Sequence, residues 1–574
     1  MEDKRTTFAV LLCIIIVMFY SEYVLTPYQQ EVRRYAEEQQ RSNGEQTPLS
    51  APAATAAPGA QQPALSPVAP NLLTPPGAEE LKAGGSLAVT SDVAHTSISL
   101  IGGRLEHYTL QNYRRDTVTN ERYDMVGVAP GVPLPLGVYT ATENDVRVTY
   151  VVESTSRGAP SSDGTYDLRS GETELTITLR GTLPSGIGIR KTYRFKPNSY
   201  LFNLEVSLDR PTPGGQPVWV EWTHGVPPGL EHVRNDLPSF SALNSSDSVK
   251  HYYDVDATVT DVGAVRWLAY SERYFLAALI PATGPTAGLF TRDSTGLNYT
   301  SRAAGAATGV TMGVFIGPKD DRLLEKYGLE LERAIDLGIF AVLAQPLLAL
   351  LRMFNDLLGN YGLAIILLTL FIKFLFLPLT KASFDSMQKM AQLQPEMKAL
   401  RDRITDPTQL NQELMALYKR RGVNPMGGCL PVLIQIPVFI GLYNALLHSI
   451  ELRHAPFALW ITDLSAPEHL YVFGIGIPVM VLLMGVSMIY QQMTTPSTMD
   501  AYQKKVMLMI PVIFTISFII FPFPAGLVLY WLVNNIISIT QQVYLRSDIA
   551  VSPVKATAIA SIAIFCFGYV LTLL

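Results

Sequence analysis

Hydrophobic and polar positions follow three different patterns along this chain. Phe8 to Tyr20 is an apolar run that continues to Leu25 behind Lys4 and Arg5. No small-x-small cleavage site follows, so residues 1–26 read as an uncleaved signal anchor whose positive flank stays on the cytoplasmic side. Residues 27–85 have no period. From 86 to 318 the period is two, in segments such as LTITLRG (175–181), IGIRKTYRF (187–195) and LFNLEVSLD (201–209), separated by turns rich in Pro, Gly and Asn. That pattern predicts antiparallel strands and a large β-sandwich.

After residue 318 the spacing turns helical. Residues 319–359 predict linking helices, including Leu323, Leu324, Tyr327 and Leu331 on one face. The run Ile339 to Leu358 is broken by Gln345, Pro346, Arg352, Asn355 and Asp356, which predicts a helix lying in the interface. Residues 360–546 then hold five runs of span length, at 362–379, 430–447, 470–490, 506–521 and 525–544. Between the first two, at 381–428, Met387, Met390, Met397, Leu400 and Ile404 recur at helical spacings. Asp406-Pro407 breaks the run, and Leu410, Leu414, Leu417 and Tyr418 resume it, as in a helical hairpin. The segment 547–574 contains one more apolar run, from Val554, long enough for an additional span.

Composition sharpens this division. Charged residues make up 16% and mean hydropathy is +0.20, the balance of a membrane protein with a substantial water-exposed part. Residues 27–85 are charged and Gln-rich, then dominated by Ala, Pro, Gln and Ser, which makes them a flexible tether. Cys13, Cys429 and Cys566 have neither disulfide nor metal spacing. The net charge of −5 says little, because the basic residues cluster. The 381–428 loop holds Lys381, Lys389, Lys398, Arg401, Arg403, Lys419, Arg420 and Arg421, and the 491–505 loop holds Lys504 and Lys505. The 448–469 loop has only Arg453. This asymmetry places the basic loops in the cytoplasm and the β-rich region across the membrane.

The candidate chemistry lies inside the membrane block. Lys373 sits eight residues before Lys381, about 12 Å along a helix. A charge at the centre of a span costs about 2.5–3.5 kcal/mol and is retained where water or a partner meets it. Thr369, Gln435 beside Ile436 and Pro437, and Asn534, Asn535, Ser538, Gln541 and Gln542 near Tyr530 and Trp531 supply further polarity on three spans, which points to a shared hydrophilic groove. The methionine stripe of the hairpin, Met387, Met390 and Met397, is either the seam between its helices or an adaptable apolar contact surface. Scattered histidines (His95, His107, His224, His232, His251) have no carboxylate at a spacing that specifies catalysis, and there is no P-loop and no metal cluster.

Several strings resemble one family, the YidC/Oxa membrane protein insertases: PLTKASFDSM (378–387), ALYKRRGVNPMGGCLPVLIQIPVF (416–439), LRHAPFALWITDLS (452–465), FPAGLVLYWLVNN (523–535) and the junction FIGPKDDRL (315–323). The resemblance implies a membrane α-helical bundle, a five-span core plus the signal anchor, with a large periplasmic all-β supersandwich domain. It implies a groove for nascent membrane proteins, work alone or with the Sec translocon, and a multi-pass place in the bacterial inner membrane. No cofactor, nucleotide or DNA is implied, and the protein is expected not to be an enzyme. Two departures stand out. The family's groove charge is usually arginine where this chain has Lys373, and a basic carboxyl tail common in relatives is replaced by the apolar 554–574 run, leaving ribosome contact to the basic loops. The competing readings are a secondary transporter using an intramembrane lysine and an anchored sugar-active enzyme.

Overall fold

The structure, a computed structural model, describes residues 77–117, 119–127, 132–158, 160–161, 164–169, 173–225, 238–253, 260–292, 298–423, 430–495, 501–546 and 553–573. The predicted signal anchor, nearly all of the tether, His232 and the NPMGGC turn at 424–429 lie outside these.

The period-two segments become strands. In Leu175–Thr182 the side chains of Leu175, Ile177 and Leu179 are fully buried while Thr176 and Thr178 are half-exposed, the alternation a one-sided sheet imposes. Gly188–Phe195 and Leu201–Leu208 repeat it and pair antiparallel, Leu204 opposite Tyr193 on one side and Met312 on the other. Among the described residues, eighteen strands from Ser86 to Pro318 form two sheets. One has five strands, ordered Arg122–Asp124, Arg104–Arg114, Ala94–Ser99, Ser86–Ser91 and Thr165–Leu168, the last pair parallel. The other has thirteen, with Thr260–Ser271, Phe275–Pro281 and Gly309–Pro318 near its middle. Ile98, Leu105 and Leu110 of the small sheet join Leu179, Leu204, Trp222 and Trp267 of the large one in a single apolar core. The β-sandwich expectation therefore holds.

The alternation also carries one charge inward. Lys191 is fully buried, donates to the carbonyls of Gly102, Gly103 and Leu136, and lies 2.6 Å from Asp145. Arg104 meets the same carboxylate at 2.9 Å. Burial pushes the Asp145 carboxyl upward, but Lys191 and Arg104 outweigh it and hold it below the usual range.

Short helices α1 (Ala78–Gly84) and α2 (Asp321–Glu325) flank the strands. The helices that follow are α3 (Ala341–Leu358), α4 (Tyr361–Leu375), α5 (Leu377–Gln392), α6 (Gln394–Arg403), α7 (Pro407–Arg420), α8 (Leu430–His448), α9 (Val479–Thr494), α10 (Ala501–Ile520), α11 (Ala525–Arg546) and α12 (Pro553–Leu573). Two of the predicted spans differ from the sequence reading. The 362–379 run is no single rod: α4 and α5 meet at Phe376 with a 60° bend. Pro378 explains it, since it lacks a donor and its ring crowds the carbonyl four residues back. The 470–490 run starts as a hairpin, Leu470–Val472 against Ile475–Ile477, and becomes helical only at Val479. Phe473 and Gly474 take positive φ, 52° and 81°, which makes the two-residue turn. The interrupted run becomes α3, a continuous 18-residue helix that meets the length and apolarity of a span, as does α12.

The β-rich part meets the helices through named contacts. Arg352 of α3 reaches Asp321 and Glu451, each at 2.6 Å, and Arg453 donates to the Arg115 carbonyl at 3.0 Å.

Candidate functional site: a buried lysine between four helices

Lys373 sits in the last turn of α4, on its side toward α11, with only 8% of its surface exposed. Its ammonium donates to Ser538 Oγ at 2.7 Å, and that hydroxyl donates in turn to the Asn534 carbonyl at 2.8 Å. Asn534, Ser538 and Gln541 recur on α11 at helical spacing, so one face carries all three. Gln435 of α8 closes the set by donating to Asn534 Oδ1 at 3.0 Å. Among the described residues no carboxylate pairs with Lys373, so its charge is met by neutral oxygen alone.

Lys373, Gln435 and Asn534 share the wall of one small cavity with Ile372, Phe376, Leu379 and Thr380. Its volume of about 20 Å³ is room for about one water. The last three of those residues flank the 60° bend, so the break at Pro378 shapes the cavity. Sequence reasoning named the lysine and its partners but not these walls; Pro378 was the available signal.

The other anticipated residues divide. Thr369 is buried but donates within its own helix, to the Ile365 carbonyl at 2.7 Å, and does not line the cavity. Tyr530 is buried against Phe439. Trp531 packs among Phe439, Phe514 and Phe518 at 4.7–5.6 Å between centroids. Ile436 is 38% exposed and Pro437 half-buried inside α8. Met397 is buried in the seam of the hairpin beneath Tyr418, whose hydroxyl lies 3.7 Å from its sulfur. Met390 packs against the same seam and Met387 is half-buried, whereas Met415 is 55% exposed. Gln541 is 3% exposed, and neither end of its amide is hydrogen-bonded among the described residues. Asn535 and Gln542 bind α9 and its end instead, through Ser487 and Thr494.

An all-β domain followed by apolar helices that enclose a cation on neutral hydrogen-bond partners defines a polytopic membrane protein with a polar interior site. The YidC periplasmic domain family matches residues 86–350, and the 60Kd inner membrane protein family matches 353–552. A membrane protein insertase YidC of Syntrophus aciditrophicus is 36% identical over 568 residues, 95% of this chain and 100% of the relative. That of Geobacter sulfurreducens is 41% identical over 389 residues, 65% of this chain and 71% of the relative. The chain belongs to the YidC family of membrane protein insertases. A crystal structure of an active YidC insertase is similar over 79% of this chain and 91% of its own, at 20% identity and a TM-score of 0.35; the assignment rests on the sequences.

Proposed function

We propose that this chain receives the polar flank of a nascent membrane protein at the Lys373 site and passes its apolar segment into the bilayer, alone or beside the Sec translocon. In this reading the protein is a multi-pass inner-membrane protein with a cytoplasmic amino terminus and a periplasmic β-domain, and the ribosome meets its basic loops. The observation that carries it is the ammonium of Lys373, buried with no carboxylate partner among the described residues, beside a cavity where Thr380, Gln435 and Asn534 interrupt the apolar walls of Ile372, Phe376 and Leu379.

The physical account is electrostatic. A client's polar tail faces about 30 Å of hydrocarbon, and a polar station partway shortens that path. Lys373 attracts acidic groups, and its single hydroxyl partner leaves donors free for them. The cavity admits only a water-sized guest, so entry requires α4, α8 and α11 to part, with the bend at Phe376 a natural place for movement. The client's apolar segment then gains the usual transfer energy in lipid.

The test is insertion of single-span clients into liposomes containing the full chain. Lys373→Arg should retain activity. Lys373→Glu and Lys373→Ala should impair clients with acidic tails most and clients with neutral tails least. Unchanged insertion of acidic-tailed clients by Lys373→Glu would overturn the account.

A further inference from the structure

A second and larger cavity, of about 280 Å³, lies where the β-domain meets the end of α8. Its walls come from both parts: Ser271, Arg273, Lys319 and Asp336 from the strand side, Asn444 and His448 from the helix. The insertase reading gives it no role.

Its hydrogen-bonding capacity is one-sided. The Glu272 carboxylate is already spent on His224 at 2.9 Å, Tyr123 at 2.5 Å and Tyr270 at 3.4 Å. Asp336 is spent on the Tyr253 hydroxyl and, at 2.7 Å, the Gly338 amide. The donors are less committed. Lys319 is 7% exposed, and its ammonium gives one hydrogen bond, to the Glu272 carbonyl at 3.1 Å, although an ammonium carries three donors. Ser271 is 3% exposed, and among the described residues its hydroxyl has no partner; His448 Nδ1, a donor in one of its tautomers, has none either. Arg273 adds a guanidinium to the wall while donating to the carbonyls of Leu447 and Ser465. Burial pushes the Lys319 ammonium down to about 8, against the pull of Asp336 and Glu272. A guest that brings negative charge relieves that burial.

The guest must therefore accept hydrogen bonds from several directions, carry negative charge and fill more space than a water. A carboxylate offers acceptors in one plane, whereas a phosphoryl group offers them around a tetrahedron, and lysine binds phosphate as a point charge. We infer that this cavity binds a phosphate-type oxyanion, borne by a phospholipid headgroup or by a small phosphorylated solute, on Lys319 and Ser271. The site stands apart from Lys373 and does not depend on how clients are inserted.

The experiment uses the full chain in detergent micelles and reads its thermal unfolding midpoint. The probes, at constant ionic strength, are inorganic phosphate, acetate, dioctanoyl phosphatidic acid and dioctanoylglycerol. Phosphate, phosphatidic acid or both should raise the midpoint, and acetate and dioctanoylglycerol should not. A shift with phosphatidic acid alone assigns the site to a lipid headgroup; a shift with inorganic phosphate assigns it to a phosphorylated solute. Ser271→Ala, a change of one oxygen, should weaken the effect about tenfold. Lys319→Met should abolish it, Lys319→Arg should restore it, and Lys250→Met, at an exposed position outside the cavity, should leave it intact. No shift in the wild type, an equal shift with acetate, or full retention in Ser271→Ala would overturn the inference.

Discussion

Two buried lysines meet the same cost in opposite ways. Lys191 has three carbonyls and the Asp145 carboxylate around it, so its charge is consumed by structure. Lys373 has one hydroxyl, so its charge is left available. Lys191→Met should lower stability by about 3–5 kcal/mol by taking the donor from three buried carbonyls and leaving Asp145 with Arg104 as its one cation, read as a lower unfolding midpoint of the full chain. Lys373→Met removes a charge that no carboxylate among the described residues neutralises and should leave that midpoint unchanged or higher while insertion falls. The Asp145 carboxyl, held below its ordinary range, contributes stability above the unfolded carboxylate pKa. That contribution should disappear as pH falls below about 4, through its folded value; Asp145→Asn should flatten the acid limb of the stability curve. At this scale Lys373, Gln435, Asn534 and Ser538 were legible in the sequence, because polarity in an apolar run is conspicuous. The pairs His224–Glu272 and His107–Asp124 were not, because strand pairing and packing bring together residues far apart in the chain.

Elements succeeded where the period was unambiguous and failed where glycine and proline competed with hydropathy. The run at 470–490 is apolar enough for a helix, yet Gly474, Gly476 and Pro478 cut its first third into a hairpin. The helix that remains, α9, has 16 residues, about 24 Å of rise. Hydropathy counts side chains, whereas these three residues act through the backbone. Close packing imposes its own demands: a Cβ at Gly362 would fall 2.0 Å from Phe457 Cδ2. Gly362→Val should cost about 1–3 kcal/mol through overpacking, with Phe457→Ala restoring part of the loss. In the hairpin, Met397 serves the seam with Leu393, Leu414, Leu417 and Tyr418. Met397→Ala should cost about 2–5 kcal/mol locally and speed proteolytic cleavage between α6 and α7. The exposed Met415 should tolerate the same change.

At the scale of the molecule, the β-domain meets the helices at a joint of ion pairs. Arg352 of α3 clasps Asp321 beside the β-domain and Glu451 beyond α8, so three distant stretches share one guanidinium. The Asp321 carboxyl, raised by burial but lowered further by Arg352, lies below its usual range. Its contribution is present above the unfolded carboxylate pKa and lost as pH falls through the folded one. Arg352→Met should leave two carboxylates facing each other, and a spin-label distance from the β-domain to α8 should broaden; an unchanged distribution would remove the clasp from the account. Here lies the division between chain and fold. The order of regions, the β class, the apolar helices and the lone lysine follow from local composition and periodicity, which need no neighbour to be read. The bend that walls the Lys373 cavity, the seam that takes Met397, the clasp at Arg352 and the cavity around Lys319 belong to the tertiary structure, because each joins residues whose separation in sequence says nothing about their distance in space.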